Sequence, residues 1–197
     1  MAKTIALFDF DGTLVEFDSF RAFARMAVGR SAYYAALLKS VPVLMAWKLG
    51  LTSNSHAKER LFGWLFAGMT EEEFADKGRL FSIMIPARLK EDIFHELQRH
   101  VRNGTEVWIV TASIRHWVEP WAKANGVSRV IATEPEVEPL GNTLTGRFAT
   151  PNCHGIEKLR RVVAELPDFA EYESFCYGDS KGDDVLLGNS TYPYKVK

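Results

Sequence analysis

Short, continuously apolar runs alternate along this chain with longer stretches whose apolar positions recur every three or four residues. Ile5 to Phe8, Val107 to Val110, Val130 to Ala132 and Phe175 to Tyr177 are of the first kind and predict strands, and a last strand is predicted at Tyr194 to Val196. Between them the spacing predicts helices over Ala87 to Arg102, Ile114 to Asn125, Ile156 to Leu166 and Asp183 to Leu187. The first two are stopped by Asn103-Gly104 and by Gly126, residues that tolerate the left-handed turn at a helix end. Thr70-Glu71-Glu72-Glu73 is a capping box opening another helix, and Leu140 to Gly146 reads as a small hairpin. Strands alternating with helices predict a mainly parallel sheet and an α/β fold.

One stretch departs from this rhythm. Ser31 to Trp47 borders on the length of a membrane span, yet it carries Lys39 and Pro42 near its middle. A lysine at the centre of a span costs about 2.5 to 3.5 kcal/mol. A helical hairpin broken near Pro42, or a helix lying in a membrane interface, fits better than a span, and a helix buried in the protein is the simpler alternative. The stretch also sits in a basic region: from Arg21 to Arg60 there are seven Lys or Arg against the single acid Glu59.

With 197 residues, 47% of them hydrophobic, and a net charge of −1, the chain has the balance of a globular protein and not of a disordered one. It is long enough for one domain carrying a modest insertion. No groove-reading motif accompanies the basic region, so nucleic acid is not an expected partner. The apolar run at the N-terminus is cut short by Asp9, which fails as a secretory signal, and Cys153 and Cys176 form no closely spaced framework. A cytoplasmic protein with reduced thiols is expected.

Chemistry enters where apolar runs end. Phe8-Asp9-Phe10-Asp11-Gly12-Thr13 places two carboxylates one residue apart, on the same face if the strand continues. Like charges so placed repel unless a cation or a shared proton offsets them, so the pair suggests a metal site or an acid/base pair; an Asp-Gly turn after a strand explains the same letters. Val110-Thr111-Ala112-Ser113 offers hydroxyls and backbone donors suited to phosphate oxygens, although Thr111 also reads as a helix N-cap. Lys158 falls in the first turn of its predicted helix, where a cation opposes the helix dipole; that misfit favours an anion contact over a solvated lysine. Gly178-Asp179-Ser180-Lys181-Gly182-Asp183-Asp184 again gathers acids after an apolar run, as Mg²⁺ coordination requires, or as an acidic helix cap would.

This ordered set of motifs resembles the haloacid dehalogenase-like phosphatases over essentially the whole chain. The resemblance implies a Rossmann-like three-layer sandwich with a small α-helical cap inserted after the first strand: core over 1–15 and 86–197, cap over 16–85. It implies that Asp9 attacks phosphorus, that Asp11 acts as acid and base, and that Thr111 and Lys158 hold the phosphoryl group. Mg²⁺ would be held by Asp9, the Asp11 backbone carbonyl and Asp179, with Asp183 supporting and Asp184 able to share that outer role. Ser113 and Ser180 are possible helpers. Substrate contacts are expected from Glu16, Asp18 and Arg21 in the cap and from Arg115, each of which also reads as an ordinary surface ion pair.

The cap position is shared with phosphoserine phosphatases, but they carry Glu where this chain has Asp18. The apolar, basic cap and the motifs around Lys158 and Asp179 look more like the branch containing phosphatidylglycerophosphatase C, within subclass IB. A phosphate ester of lipid or other amphiphilic type is therefore expected, with peripheral contact at the anionic inner membrane surface. A phosphoserine-like small metabolite is the alternative, as is a phosphate-sensing or scaffold protein that turns nothing over.

Overall fold

A computed structural model describes residues 3–197. In chain order the elements are β1 (Thr4–Phe8), α1 (Ser19–Val28), α2 (Arg30–Lys48), α3 (Asn54–Phe66), α4 (Glu71–Met84), α5 (Glu91–Arg102), β2 (Glu106–Ile114) and α6 (Arg115–Ala124). There follow β3 (Arg129–Thr133), β4 (Pro135–Val137), β5 (Leu144–Phe148), α7 (Ile156–Glu165), β6 (Glu173–Gly178), α8 (Asp184–Gly188) and β7 (Tyr192–Lys195). Five strands pair in the order β3-β2-β1-β6-β7, all parallel, with β1 in the centre.

Both faces of the sheet are covered along β1, β2 and β3, which is why these strands read as apolar runs, whereas edge strand β7 is exposed throughout. Ala6 and Phe8 of β1 join Ile109 of β2 and the Trp117 and Trp121 side chains of α6 on one face. Ile5 and Leu7 point the other way, against Trp108, Ile131, Val162 of α7 and Leu186 of α8. The result is the three-layer α/β sandwich expected from the alternation of strands and helices.

Helices α1 to α4 all lie in the interval between β1 and β2. Their shared core is aromatic: Phe23 packs against Phe66, Phe74, Phe81 and Trp117, the last belonging to α6. The chain enters and leaves this interval at adjacent points. The Glu16 N–H donates to the Arg88 carbonyl (3.2 Å) and the Lys90 N–H donates to the Leu14 carbonyl (2.9 Å), so the two crossing strands pair at Val15 and Leu89. A two-stranded antiparallel ribbon, β4 with β5, lies against α3, and the Phe148 N–H donates to Glu59 Oε1 (2.8 Å).

The sequence expectations need four corrections. The expected break at Pro42 does not occur: α2 runs through it. The proline costs one backbone hydrogen bond, but Pro42 and Leu38 are both exposed, so the freed Leu38 carbonyl can meet water. The helix expected from Ala87 begins only at Glu91, because Leu89 is spent on the bridge to Val15 and a separate helical turn, Ile85–Arg88, precedes it. Strand β2 continues past Val110 to Ile114, so Thr111 belongs to a strand and not to a helix cap. The last strand lies at Tyr192–Lys195, slightly earlier than expected. The capping box is present, with Thr70 Oγ1 accepting from the Glu73 N–H (3.2 Å). Among the described residues no helix is long and apolar enough to cross a membrane.

Candidate active site

Parallel strands bring their carboxyl ends to one edge, and here three of them converge. Asp9 follows β1, its backbone N–H still donating to the Tyr177 carbonyl of β6 (2.9 Å). Thr111 and Ser113 lie at the end of β2, Asp179 follows β6, and Lys158 approaches from the first turn of α7. These groups line a cavity of about 250 Å³ together with Asp11, Asp18, Phe20, Lys58 and His154.

Its deepest part is a charge cluster. Lys158, 1% exposed, places Nζ 2.8 Å from Asp9 Oδ1 and 2.5 Å from Asp183 Oδ1. Burial alone would push this ammonium down, but the two carboxylates outweigh it and hold Lys158 above its ordinary range. The same pairing holds Asp183 below the usual carboxylate range against the effect of burial. Burial pushes Asp9 up, and Lys158 pulls it back only in part. Asp183 is also fixed by the Ser180 N–H (2.9 Å) and Ser180 Oγ (2.7 Å). Asp184 turns outward to pair with Lys195 (2.6 Å), so of the two acids it is Asp183 that joins the cluster.

Carboxylate oxygens of Asp9, Asp179 and Asp183 all lie within 4.8 Å of one another. Asp183 takes three donors, whereas among the described residues Asp179 receives only the Thr13 hydroxyl (3.2 Å) and Asp9 Oδ1 has the Lys158 ion pair alone. An all-oxygen donor set with unspent acceptors suits a hard cation such as Mg²⁺. Close approach at this edge depends on glycine: a Cβ at Gly12, where φ is 73°, would collide with the Asp179 carboxylate, and one at Gly178 with Asp183.

Asp11 is the second unusual acid. Its Oδ1 is sealed from solvent and has no hydrogen-bond partner among the described residues, while Oδ2 accepts from Ser113 Oγ (2.8 Å). Burial, followed by the nearby Asp18 charge, pushes its carboxyl up to about 7. Behind Ser113 runs a buried relay: Trp117 Nε1 donates to Ser19 Oγ (2.9 Å), and Ser19 Oγ meets Ser113 Oγ (2.9 Å). With Asp11 as a carboxylate Ser113 donates to it, and Ser19 then donates to Ser113.

Of the residues expected at the site, Asp9, Asp11, Asp18, Thr111, Ser113, Lys158, Asp179 and Ser180 line the cavity, and Asp183 stands behind it. Glu16 borders a shallower depression next to Asp11 and Asp179. Arg21 and Arg115 do not line the cavity. Arg21 turns to Asp18 (3.1 Å), which caps α1, and Arg115 is held by Glu134 (2.7 Å) and Glu119 (3.5 Å). Arg115 is spent on acids that its sequence neighbourhood only half reveals, since Glu134 comes from the end of β3.

Like Phe20 and His154, Lys58 from α3 lines the cavity without having been expected there. Its Nζ donates to the Ala112 carbonyl (2.6 Å) and to Asn152 Oδ1 (3.3 Å), and it faces the Phe20 ring at 5.6 Å. Burial pushes its pKa down, and Asp11, Asp18 and Asp9 oppose that at longer range. Among the described residues no carboxylate pairs with it. In the sequence it is one cation of a basic run, and nothing there sets it apart.

The haloacid dehalogenase-like hydrolase family matches residues 6–187 of the chain. Protein CicA of Caulobacter vibrioides is 29% identical over 185 residues, covering 93% of this chain and 81% of that protein. A solved structure described as a protein of unknown function from Bordetella pertussis Tohama I superposes with a TM-score of 0.81 at 28% identity, covering 97% of this chain and 88% of that one. The phospho-aspartyl intermediate analogue of a phosphoserine phosphatase shares the fold with a TM-score of 0.61 at 16% identity, over 97% of this chain and 85% of that one. Matched from β1 into α8, through every acid and lysine of the central cluster, the chain belongs to the haloacid dehalogenase-like hydrolases.

Proposed function

We propose that the protein is a Mg²⁺-dependent phosphomonoester hydrolase that works through a phospho-aspartate on Asp9. The observation that carries this reading is the Asp11 carboxyl beside Asp9, half-buried with one oxygen sealed from solvent. An acid with one oxygen buried and unpartnered costs stability, and a binding or scaffold protein has no use for it. An acid whose pKa lies near 7 is suited to give and take a proton at neutral pH.

In the first step an Asp9 carboxylate oxygen attacks phosphorus while the bond to the ester oxygen breaks, and the Asp11 carboxyl gives its proton to the departing alkoxide. In the second, Asp11, now a carboxylate, takes a proton from water. The resulting hydroxide attacks phosphorus, freeing Asp9 and inorganic phosphate. Lys158 limits the negative charge at Asp9, and the Thr111 hydroxyl would donate to phosphoryl oxygens. Mg²⁺, held by Asp9, Asp179 and the Asp11 backbone carbonyl with Asp183 behind them, would supply positive charge that offsets the phosphoryl oxygens.

In this reading residues 1–15 and 86–197 form the catalytic core and 16–85 the cap, Met1 and Ala2 lying outside the described residues. The cap delivers Asp18, Phe20 and Lys58 to the cavity, and with them the choice of alcohol. Its apolar, basic composition favours an amphiphilic or lipid-type phosphate, as does the resemblance to the phosphatidylglycerophosphatase C branch of subclass IB. A phosphoserine-like metabolite is the competing substrate, supported by the shared fold of the phosphoserine phosphatase structure.

The test is phosphate release from a panel of both kinds of ester, with Mg²⁺ and with EDTA. Turnover is expected only with the metal, and Asp9→Asn should lower it on the order of 10⁴-fold. Full activity of Asp9→Asn would rule out the covalent route.

A further inference from the structure

We infer that the outer face of α2 seats the protein on an anionic lipid bilayer. The inner face of this helix is taken up by the protein: Tyr33, Ala36 and Ser40 are buried, and α2 packs chiefly on α3. A soluble surface helix would turn polar on its other side, but this one does not. Tyr34, Leu38, Val41, Met45 and Leu49 recur at spacings of three and four and form one exposed stripe, with Leu38 73% and Leu49 69% accessible. A helix apolar on both sides calls for a cover on the second.

The charges around the stripe say what that cover is. Arg30 stands at its start, Lys39 beside its middle and Lys48 at its end, all exposed. No acid occurs between Asp18 and Glu59. Cations also lean over the neighbouring exposed aromatics: Arg25 over Tyr34 at 5.7 Å, and Lys39 and Arg60 over Trp64 at 5.2 and 5.8 Å. Long cations that keep their stems on apolar surface and their heads outward match an interface of acyl chains beneath anionic headgroups. A second copy of the chain fits poorly, because a two-fold contact would set this cationic stripe against itself. Nor does α2 cross the bilayer, since it is not apolar enough to span.

The inference deepens the amphiphilic-substrate reading, and it is tested without turnover. Co-sedimentation with vesicles of phosphatidylglycerol and phosphatidylcholine at low salt should capture the protein, and pure phosphatidylcholine should capture much less. Asp9→Asn should bind as the native protein does, which separates docking from catalysis. Leu38→Glu combined with Met45→Glu should lower partitioning at least tenfold, and Lys39→Gln and Lys48→Gln about fivefold each. All three should keep native melting behaviour and native turnover of a water-soluble phosphate ester. Failure to bind anionic vesicles, binding unchanged by the double glutamate variant, or a solution dimer that this variant dissociates would each overturn the inference.

Discussion

The two ends of the cavity hold their lysines in opposite ways. At the core end Lys158 lies between Asp9 and Asp183, and each charge there has a charged partner. At the end formed by α1 and α3, contact with the core runs through neutral groups: Lys58 to a carbonyl and an amide oxygen, Ser19 to Ser113. A buried triad of full charges is costly to disturb, because removing one member strands the others. Neutral hydrogen bonds can be exchanged for substrate contacts at little cost. One end is therefore set before substrate arrives, and the other can change partners when it does.

The sharpest way to break this contrast is Lys158→Met. It should cost about 3 to 5 kcal/mol of stability by stranding two carboxylates, lowering Tm by about 10 °C, and should abolish measurable turnover. A melting curve that stays in place would show that the pairing is not structural. Next in size is Ser113→Ala, which removes the donor to Asp11 while leaving the charged triad alone. A hydrogen bond to an ionisable group is worth about 1.5 to 3 kcal/mol, so kcat should fall about 10- to 100-fold with KM little changed. A change confined to KM would place Ser113 with substrate and not with Asp11.

Lys58→Gln sharpens the comparison from the other side. With no carboxylate stranded, stability should change by less than about 1.5 kcal/mol, while KM for an anionic ester rises about tenfold and kcat is largely kept. A large fall in Tm would make the two lysines alike after all.

The smallest effect concerns pH and lies away from the cavity. His100 packs against Phe8 and Phe175 and meets the Tyr177 hydroxyl (3.0 Å), and burial pushes its pKa down. A depressed folded pKa means that its contribution is present above the unfolded value of about 6.5 and is lost as pH falls below it. Thermal melting from pH 8 to pH 5 should decline toward acid, and less steeply in His100→Gln.

Much of the core end was legible in the chain itself because its signals are local. Two acids flank Phe10, a cation sits where the helix dipole disfavours it, and apolar runs end in polar residues at each step. The three layers follow from inner strands too apolar to have a wet face, whereas the order of the strands was not legible. The other end was less legible because its groups matter only through distant partners. Lys58 meets Ala112 and Asn152, 54 and 94 positions away, and Arg115 is claimed by Glu134 across a strand. Asp183 and Asp184 are adjacent and identical in kind; only the backbone turn sends one inward and the other to Lys195. Pro42 misled for a related reason, since whether a proline breaks a helix depends on whether the orphaned carbonyl can find water.

The paired crossing at Val15 and Leu89 has an evolutionary consequence. Because the loop of helices departs and returns side by side, its two roots occupy a fixed doorway however many residues hang beyond it. A lineage can therefore lengthen, shorten or replace what lies outside without re-threading a strand or shifting a register. New leaving groups can be tried while the phosphorus chemistry inside stays as it was.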